Sequence, residues 1–142
     1  MTIIRRRGTA IVDTPRGILV VSGRKKIFLL PGGGAEKNES RKRAAIRELR
    51  EETGLKAYSC KYLFFHTGSK HKTFSGKKMF RDISKVFLIK ARGHAKPRHE
   101  IKHIAYYKDG NVKISYNTKK MIEKYLEMKK HKFSLCFWKR KS

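Results

Sequence analysis

The sequence predicts a single mixed α/β or α+β sandwich, and three observations predict it. The 142 residues are 39% hydrophobic and 11% aromatic, enough for one core, and a domain of this size buries roughly 68% of the surface its unfolded chain exposes. Short β-type runs outnumber helical ones. The two kinds are not regularly interleaved, as a mixed architecture requires. Residues 1–142 are therefore read as one domain, with 129–142 as a basic, aromatic tail.

Residues 9–12 and 18–21 are β-type runs joined by Asp13-Thr14-Pro15-Arg16-Gly17, whose Pro and Gly mark a turn, so the pair reads as a hairpin. Residues 27–30 read as a third strand. Pro31-Gly32-Gly33-Gly34 should end it, because Pro cannot donate to a ladder and glycines admit backbone conformations that other residues resist. Good helix formers dominate 40–53, with Ala45, Ile46, Leu49 and Thr53 spaced as one buried stripe and Gly54 as the stop. Further β-type runs occupy 59–65, 86–90 and 101–107. A second helix is expected over about 118–130, with Met121, Ile122, Tyr125 and Leu126 as its apolar face. There are no internal repeats.

Charge is the strongest compositional feature: 37 Lys and Arg against 11 Asp and Glu leave a net +26. Such a surface concentrates polyanions, so nucleotides, nucleic acid (RNA included) and acidic membrane surfaces are all compatible partners. A host that favours basic proteins would give the same number, since charge reports association and solubility rather than fold. Cys60 and Cys136 are too few and too far apart for a disulfide framework or a zinc site, and MTIIRRRGTA has no apolar stretch of signal-peptide length. The expectation is a soluble protein of the reducing cytoplasm. The apolar segments 17–22 and 27–31 are interrupted by Gly23-Arg24-Lys25-Lys26 and fall well short of the roughly 20 residues of a membrane span. Nothing in the sequence sets an oligomeric state.

The chemistry concentrates in 33–55, GGAEKNESRKRAAIRELREETGL. Glu48, Glu51 and Glu52 stand at i, i+3 and i+4 and share one helix face. Like charges so placed repel by roughly 0.2–0.5 kcal/mol per pair, and the helix C-terminus also disfavours anions. A helix built for its own stability would reverse this order, so the patch is read as serving something that binds it. Hard oxygen donors suit Mg²⁺ or Mn²⁺, and a few carboxylates plus substrate phosphates are how proteins usually hold Mg²⁺. On charges alone a solvated helix, with Arg47 paired to Glu51, fits equally well.

The whole segment resembles the Nudix box, G-x5-E-x7-R-E-U-x-E-E-x-G-U with U a bulky aliphatic residue. Gly33, Glu39, Arg47, Glu48, Leu49, Glu51, Glu52, Gly54 and Leu55 match every specified position. So many fixed positions at fixed spacings make a specific signal. Leu30-Pro31-Gly32 is similar to the family's lead-in. The run from Glu100 to Tyr106 resembles a later segment in which an acidic residue precedes a Trp by six positions, with Tyr106 in place of that Trp.

The resemblance implies a mixed β-sheet in an α/β/α sandwich and metal-dependent attack of water on a diphosphate. The products would be a nucleotide and a phosphate-bearing fragment. It implies Glu48, Glu51 and Glu52 as metal carboxylates, the Gly33 carbonyl as a further ligand, and a Glu39–Arg47 ion pair that orients the helix. Glu48 and Glu100 are rival general bases. After Gly54, the positions where similar ADP-ribose hydrolases have Pro and dinucleoside polyphosphate hydrolases have Tyr are filled by Lys70, His71 and Lys72. A nucleoside triphosphate, a dinucleoside polyphosphate and an RNA 5′ end therefore all stay open as substrates. A non-catalytic nucleotide sensor or RNA-binding module is the alternative, but sensors of this fold commonly have eroded boxes, and this box is intact.

The remaining signals are weaker. The six histidines read as ordinary polar residues. Residues 68–78 read as a flexible basic loop around Phe74 that could hold phosphates or stay solvated. The tail aromatics Phe133, Phe137 and Trp138 are expected to pack on the body.

Overall fold

The computed structural model describes residues 2–73 and 75–141, with the side chains of the last helix described to residue 132. Strand β1 (Thr2–Ile11) starts well before residue 9, because the alternating Arg5 and Arg7 of the basic lead-in find a partner in Asp82. Arg5 grips that carboxylate at 2.6 and 3.1 Å. β1 runs parallel to β7 (Met79–Arg92) and antiparallel to β4 (Gly32–Gly34), and β5 (Lys56–Thr67) closes the order β4-β1-β7-β5. β6 (His71–Lys72) also pairs with β7. A second sheet has the order β2 (Asp13–Thr14), β3 (Gly17–Ser22), β8 (His103–Tyr107).

Two sequence expectations change here. The hairpin partner of β3 is Asp13–Thr14, not residues 9–12: Thr9 to Ile11 stay in the large sheet and the chain changes sheets at Val12, whose carbonyl accepts from Leu19 N at 3.0 Å. Residues 27–30 make only isolated bridges, Val21 to Leu29 and Phe28 to Ile114, while the glycines expected to end that strand form β4. The reason is space. A Cβ on Gly33 would sit 2.5 Å from Glu48 Cδ and one on Gly32 would sit 2.5 Å from the Gly8 carbonyl oxygen, so these two positions pass β1 and the first helix most closely without side chains.

That helix, α1 (Arg41–Thr53), is capped by Ser40, whose Oγ accepts from Arg43 N at 3.1 Å, and ends at Gly54 with φ 80°. Ala45 and Leu49 pack with Ala10, Phe87 and Ile89 on one face of the large sheet. The helix lies close because Gly8 has no Cβ, which would run into the Arg41 carbonyl. The two-residue period of the strands sends Ile11, Phe64 and Val86 to the other face. There they meet Ile18, Val20 and the residues Met121, Ile122 and Tyr125 of α2 (Tyr116–Lys141). Asp13 pins α2 at the sheet switch, accepting from Tyr125 OH at 2.7 Å and Lys129 Nζ at 2.9 Å. Leu126, expected on the buried face, is 46% exposed. The sequence placed the end of this helix near 130, but it continues to Lys141; the packing expected of Phe133, Phe137 and Trp138 lies outside the described side chains.

The basic stretch 68–78 is a short hairpin rather than a free loop: β6 pairs with the start of β7, and His71 stands edge-on to Phe80 at 3.7 Å. Phe74 lies outside the described residues. Among the described residues no helix is long and apolar enough to cross a membrane.

Candidate active site

The site forms where the C-terminal half of α1 crosses the glycine strand β4. Arg47 is its hub. Nε and Nη2 donate to Glu39 at 2.8 and 2.9 Å, Nη1 donates to Glu48 at 2.9 Å and Glu51 at 3.2 Å, and Nη2 also reaches the Gly34 carbonyl at 3.1 Å. One guanidinium thus ties the lead-in loop, β4 and the acidic helix face together, which a planar fork of five donors can do and an ammonium cannot. The Arg47 bonds, helped by Glu36 N donating at 3.0 Å, hold the Glu39 carboxyl down to about 2. Arg47 is itself held more firmly protonated by Glu39 and Glu48.

Glu52 is in the opposite situation. It is 7% exposed, and the only hydrogen bond to its carboxylate among the described residues is from Gly32 N to Oε2 at 3.2 Å. Burial first, then the negative charges of Glu48 and Glu100, push its carboxyl up to about 8. A carboxylate buried among like charges is short of positive charge. Glu100 belongs to the turn before β8, which is fastened to the end of α1 by Lys96 N on the Thr53 carbonyl at 3.0 Å and Arg98 N on the Glu52 carbonyl at 3.1 Å. It shares a cavity of about 270 Å³ with Glu51, Glu52 and His99.

The structure therefore brings Gly33, Glu39, Arg47, Glu48, Glu51, Glu52 and Glu100 into one region. Among the described residues no three His, Cys, Asp or Glu side chains are drawn together as a ready-made ligand set. Glu48 and Glu51 are both bound by Arg47. The donor chemistry nevertheless suits a hard divalent cation: oxygen donors only, one of them buried and repelled by its neighbours.

Residues 4–121 match the family described as the NUDIX domain. The chain belongs to the Nudix family. A solved Nudix hydrolase family member from Chromobacterium violaceum is 36% identical, with a TM-score of 0.73, covering 89% of this chain and 79% of that one. The MutT Nudix hydrolase of Burkholderia pseudomallei shares the fold at 18% identity and a TM-score of 0.69, covering 85% of this chain and 97% of its own. A bifunctional NMN adenylyltransferase/ADP ribose pyrophosphatase from Francisella tularensis, solved with AMP and a manganese ion, is 18% identical with a TM-score of 0.62; 90% of this chain aligns with 42% of that one. A search of curated proteins finds no match. The protein is thus a hydrolase of phosphoanhydride bonds, from a family that acts on nucleoside diphosphate derivatives and generally uses divalent metals.

Sequence reasoning did not find a cavity on the α2 side of the large sheet. About 370 Å³ opens between the large sheet and the start of α2, with Arg7, His66, Asp82, Ser84 and Asn117 on its walls. His66 Nε2 and Asn117 Oδ1 stand 3.0 Å apart. Arg7 joins the two regions, since it lines the cavity and its charge acts on Glu52. A signal was present for two of these residues: Asp82 and Ser84 precede Val86 at alternate positions of one strand, polar side chains on a face that later turns apolar. His66 and Asn117 are brought together across 51 positions of sequence, and no local pattern marks them.

Proposed function

We propose that the protein is a Mg²⁺- or Mn²⁺-dependent pyrophosphohydrolase of small nucleotides, such as a nucleoside triphosphate or a dinucleoside polyphosphate. One observation carries the reading: Arg7 lines a cavity of nucleoside size, and its charge also acts on the charge-starved carboxylate of Glu52. Glu48, Glu51, Glu52 and the Gly33 carbonyl would hold the metal. Bound there, a divalent ion would polarise phosphoryl oxygens and make a water easier to deprotonate.

The side chains divide the remaining work. The cavity between β7 and α2 takes the nucleoside, with His66, Asn117 and Ser84 offering polar groups to the base or sugar. Arg7 meets the phosphates, trading its 3.9 Å contact with Asp82 for a substrate anion. Arg47 and Glu39 keep the acidic helix face in register, a positioning role. Of the two rival bases, Glu48 already accepts a hydrogen bond from Arg47, whereas Glu100 stands exposed on the rim of the cavity it shares with Glu52. Glu100 is therefore assigned the proton of the attacking water. That water forms the new P–O bond, one phosphoanhydride P–O bond breaks, and the leaving phosphate keeps the electron pair.

The manganese and AMP in the Francisella structure support this cofactor and substrate class by analogy of fold. The test is a panel of nucleoside triphosphates, dinucleoside polyphosphates and ADP-ribose incubated with Mg²⁺ or Mn²⁺ and scored by the released phosphate, pyrophosphate or mononucleotide. Turnover of a small nucleotide that stops with chelator is the expected result. Metal-independent turnover, or none of any small nucleotide, would sink the reading.

A further inference from the structure

The large sheet ends in an edge strand, β5, whose outer surface differs from any core-facing pattern. Tyr58, Tyr62 and Phe65 are 57%, 45% and 50% exposed. Each has a cation over its ring: Arg92 lies 4.7 Å from Tyr58, Lys85 5.7 Å from Tyr62 and 5.3 Å from Phe65, and Arg41 5.7 Å from Phe65. Tyr62 and Phe65 meet edge to face at 5.8 Å and share a face with Lys85, whereas Arg92, at odd spacing from Lys85 on the same strand, stands with Tyr58 toward the other face. No acidic residue occurs on β5.

This surface is distinct from the nucleotide cavity. Phe65 pairs in register with Lys85, while the neighbouring pair His66 and Ser84 lines the cavity on the opposite face of the sheet. A second copy of the chain is a poor occupant, because a net charge of +26 and a strand without carboxylates would set like charges against each other. Half-exposed rings interleaved with Arg and Lys suit a flexible polyanion whose bases have π-faces. Stacking supplies sequence-tolerant affinity, and the cations neutralise the backbone.

We propose that the β5 edge is a stacking platform for single-stranded nucleic acid, formed on one face by Tyr62 and Phe65 with Arg41 and Lys85, and separate from the hydrolytic site. Bases stack on the two rings while phosphates pass along Lys85 and Arg41. Binding at this edge needs neither metal nor a 5′ phosphate.

The experiment measures fluorescence anisotropy of a short 3′-labelled oligouridylate with a 5′ hydroxyl, in chelator, across a range of salt. The wild-type chain is expected to bind with an affinity that falls with salt at a log–log slope of about −0.7 per phosphate contacted. Tyr62→Ala and Phe65→Ala should each weaken binding about 5-fold or more, and Lys85→Gln should make the slope shallower by about 0.7. Nucleotide hydrolysis and the thermal midpoint should be unchanged in Phe65→Ala, the more exposed of the two. The proposal is overturned if both ring variants bind like the wild type, or if an abasic oligomer of the same charge binds equally well, since charge alone would then suffice. It is equally overturned if phosphatidylserine vesicles bind with the same dependence on these rings and displace the oligomer, which would make a lipid surface the occupant.

Discussion

Arg47 and Glu39 are joined by two parallel hydrogen bonds of 2.8 and 2.9 Å, so the loop before α1 is locked to the acidic face of that helix. The same guanidinium reaches Glu48 and Glu51. Replacing it by the nearest charged alternative therefore tests geometry rather than charge.

Arg47→Lys is expected to lower the hydrolysis rate and weaken metal activation by about 10–100-fold, the usual loss for a residue that supports metal ligands. Steady-state rates titrated with Mg²⁺ would measure both. An unchanged rate at unchanged metal demand removes the positioning role.

Glu52→Gln keeps the volume and the neutral form of the buried acid but cannot supply a carboxylate. Hydrolysis should fall by more than the roughly 100-fold upper figure for a supporting residue. The metal-free fold should be as stable as the wild type or more so, because the repulsion from Glu48 and Glu100 is gone. A folded variant with near wild-type turnover at saturating Mg²⁺ would show that Glu52 holds no metal.

The two perturbed carboxyls predict opposite pH responses. Glu52 rises from 4.5 to about 8 on folding, so between those values the folded chain binds more protons than the unfolded one. Its contribution is complete below 4.5 and is lost as pH climbs through about 8, at no more than about 1.4 kcal/mol per unit. Glu39 falls from 4.5 to about 2, so its contribution is complete above 4.5 and is lost as pH drops toward 2. Thermal midpoints in chelator should decline from pH 5 to 8, and Glu52→Gln should flatten that decline. Metal should reverse it, because the ion replaces the proton. A wild-type midpoint that stays level across this window in chelator would contradict the buried-acid assignment.

Two glycines should fail in different ways. A Cβ at Gly8 meets the Arg41 backbone carbonyl, which cannot move without displacing α1, so Gly8→Ala should cost about 1–3 kcal/mol or more of stability. At Gly33 the obstacle is the Glu48 carboxyl, the far end of a side chain. Gly33→Ala should fold and lose activity. Denaturant melts and rates on both variants separate the two outcomes, and equal destabilisation would contradict the distinction.

Arg7→Gln should raise KM about 10-fold or more, the worth of a charged hydrogen bond, with a smaller effect on kcat. A loss confined to kcat would place Arg7 with the reacting groups instead of the bound phosphates.

The sequence by itself determined the acidic helix. Ser40, Gly54 and the carboxylates at i, i+3 and i+4 act within a few residues of one another, and helical periodicity fixes what shares a face. The fold class and the family followed from the same local order. Only the tertiary structure decided three further things. Gly32–Gly34 became a strand because β1 and the Glu48 side chain crowd the Cβ positions of Gly32 and Gly33, a restriction no glycine reveals about itself. Glu52 became the buried, proton-retaining member of three similar glutamates because the folded chain buries it and sets the charges of Glu48 and, from a distant segment, Glu100 against its anion. The cavity proposed for the nucleoside arose where β1, β7 and the start of α2 converge, so Arg7, Asp82 and Asn117 line one space although they come from segments that span most of the chain.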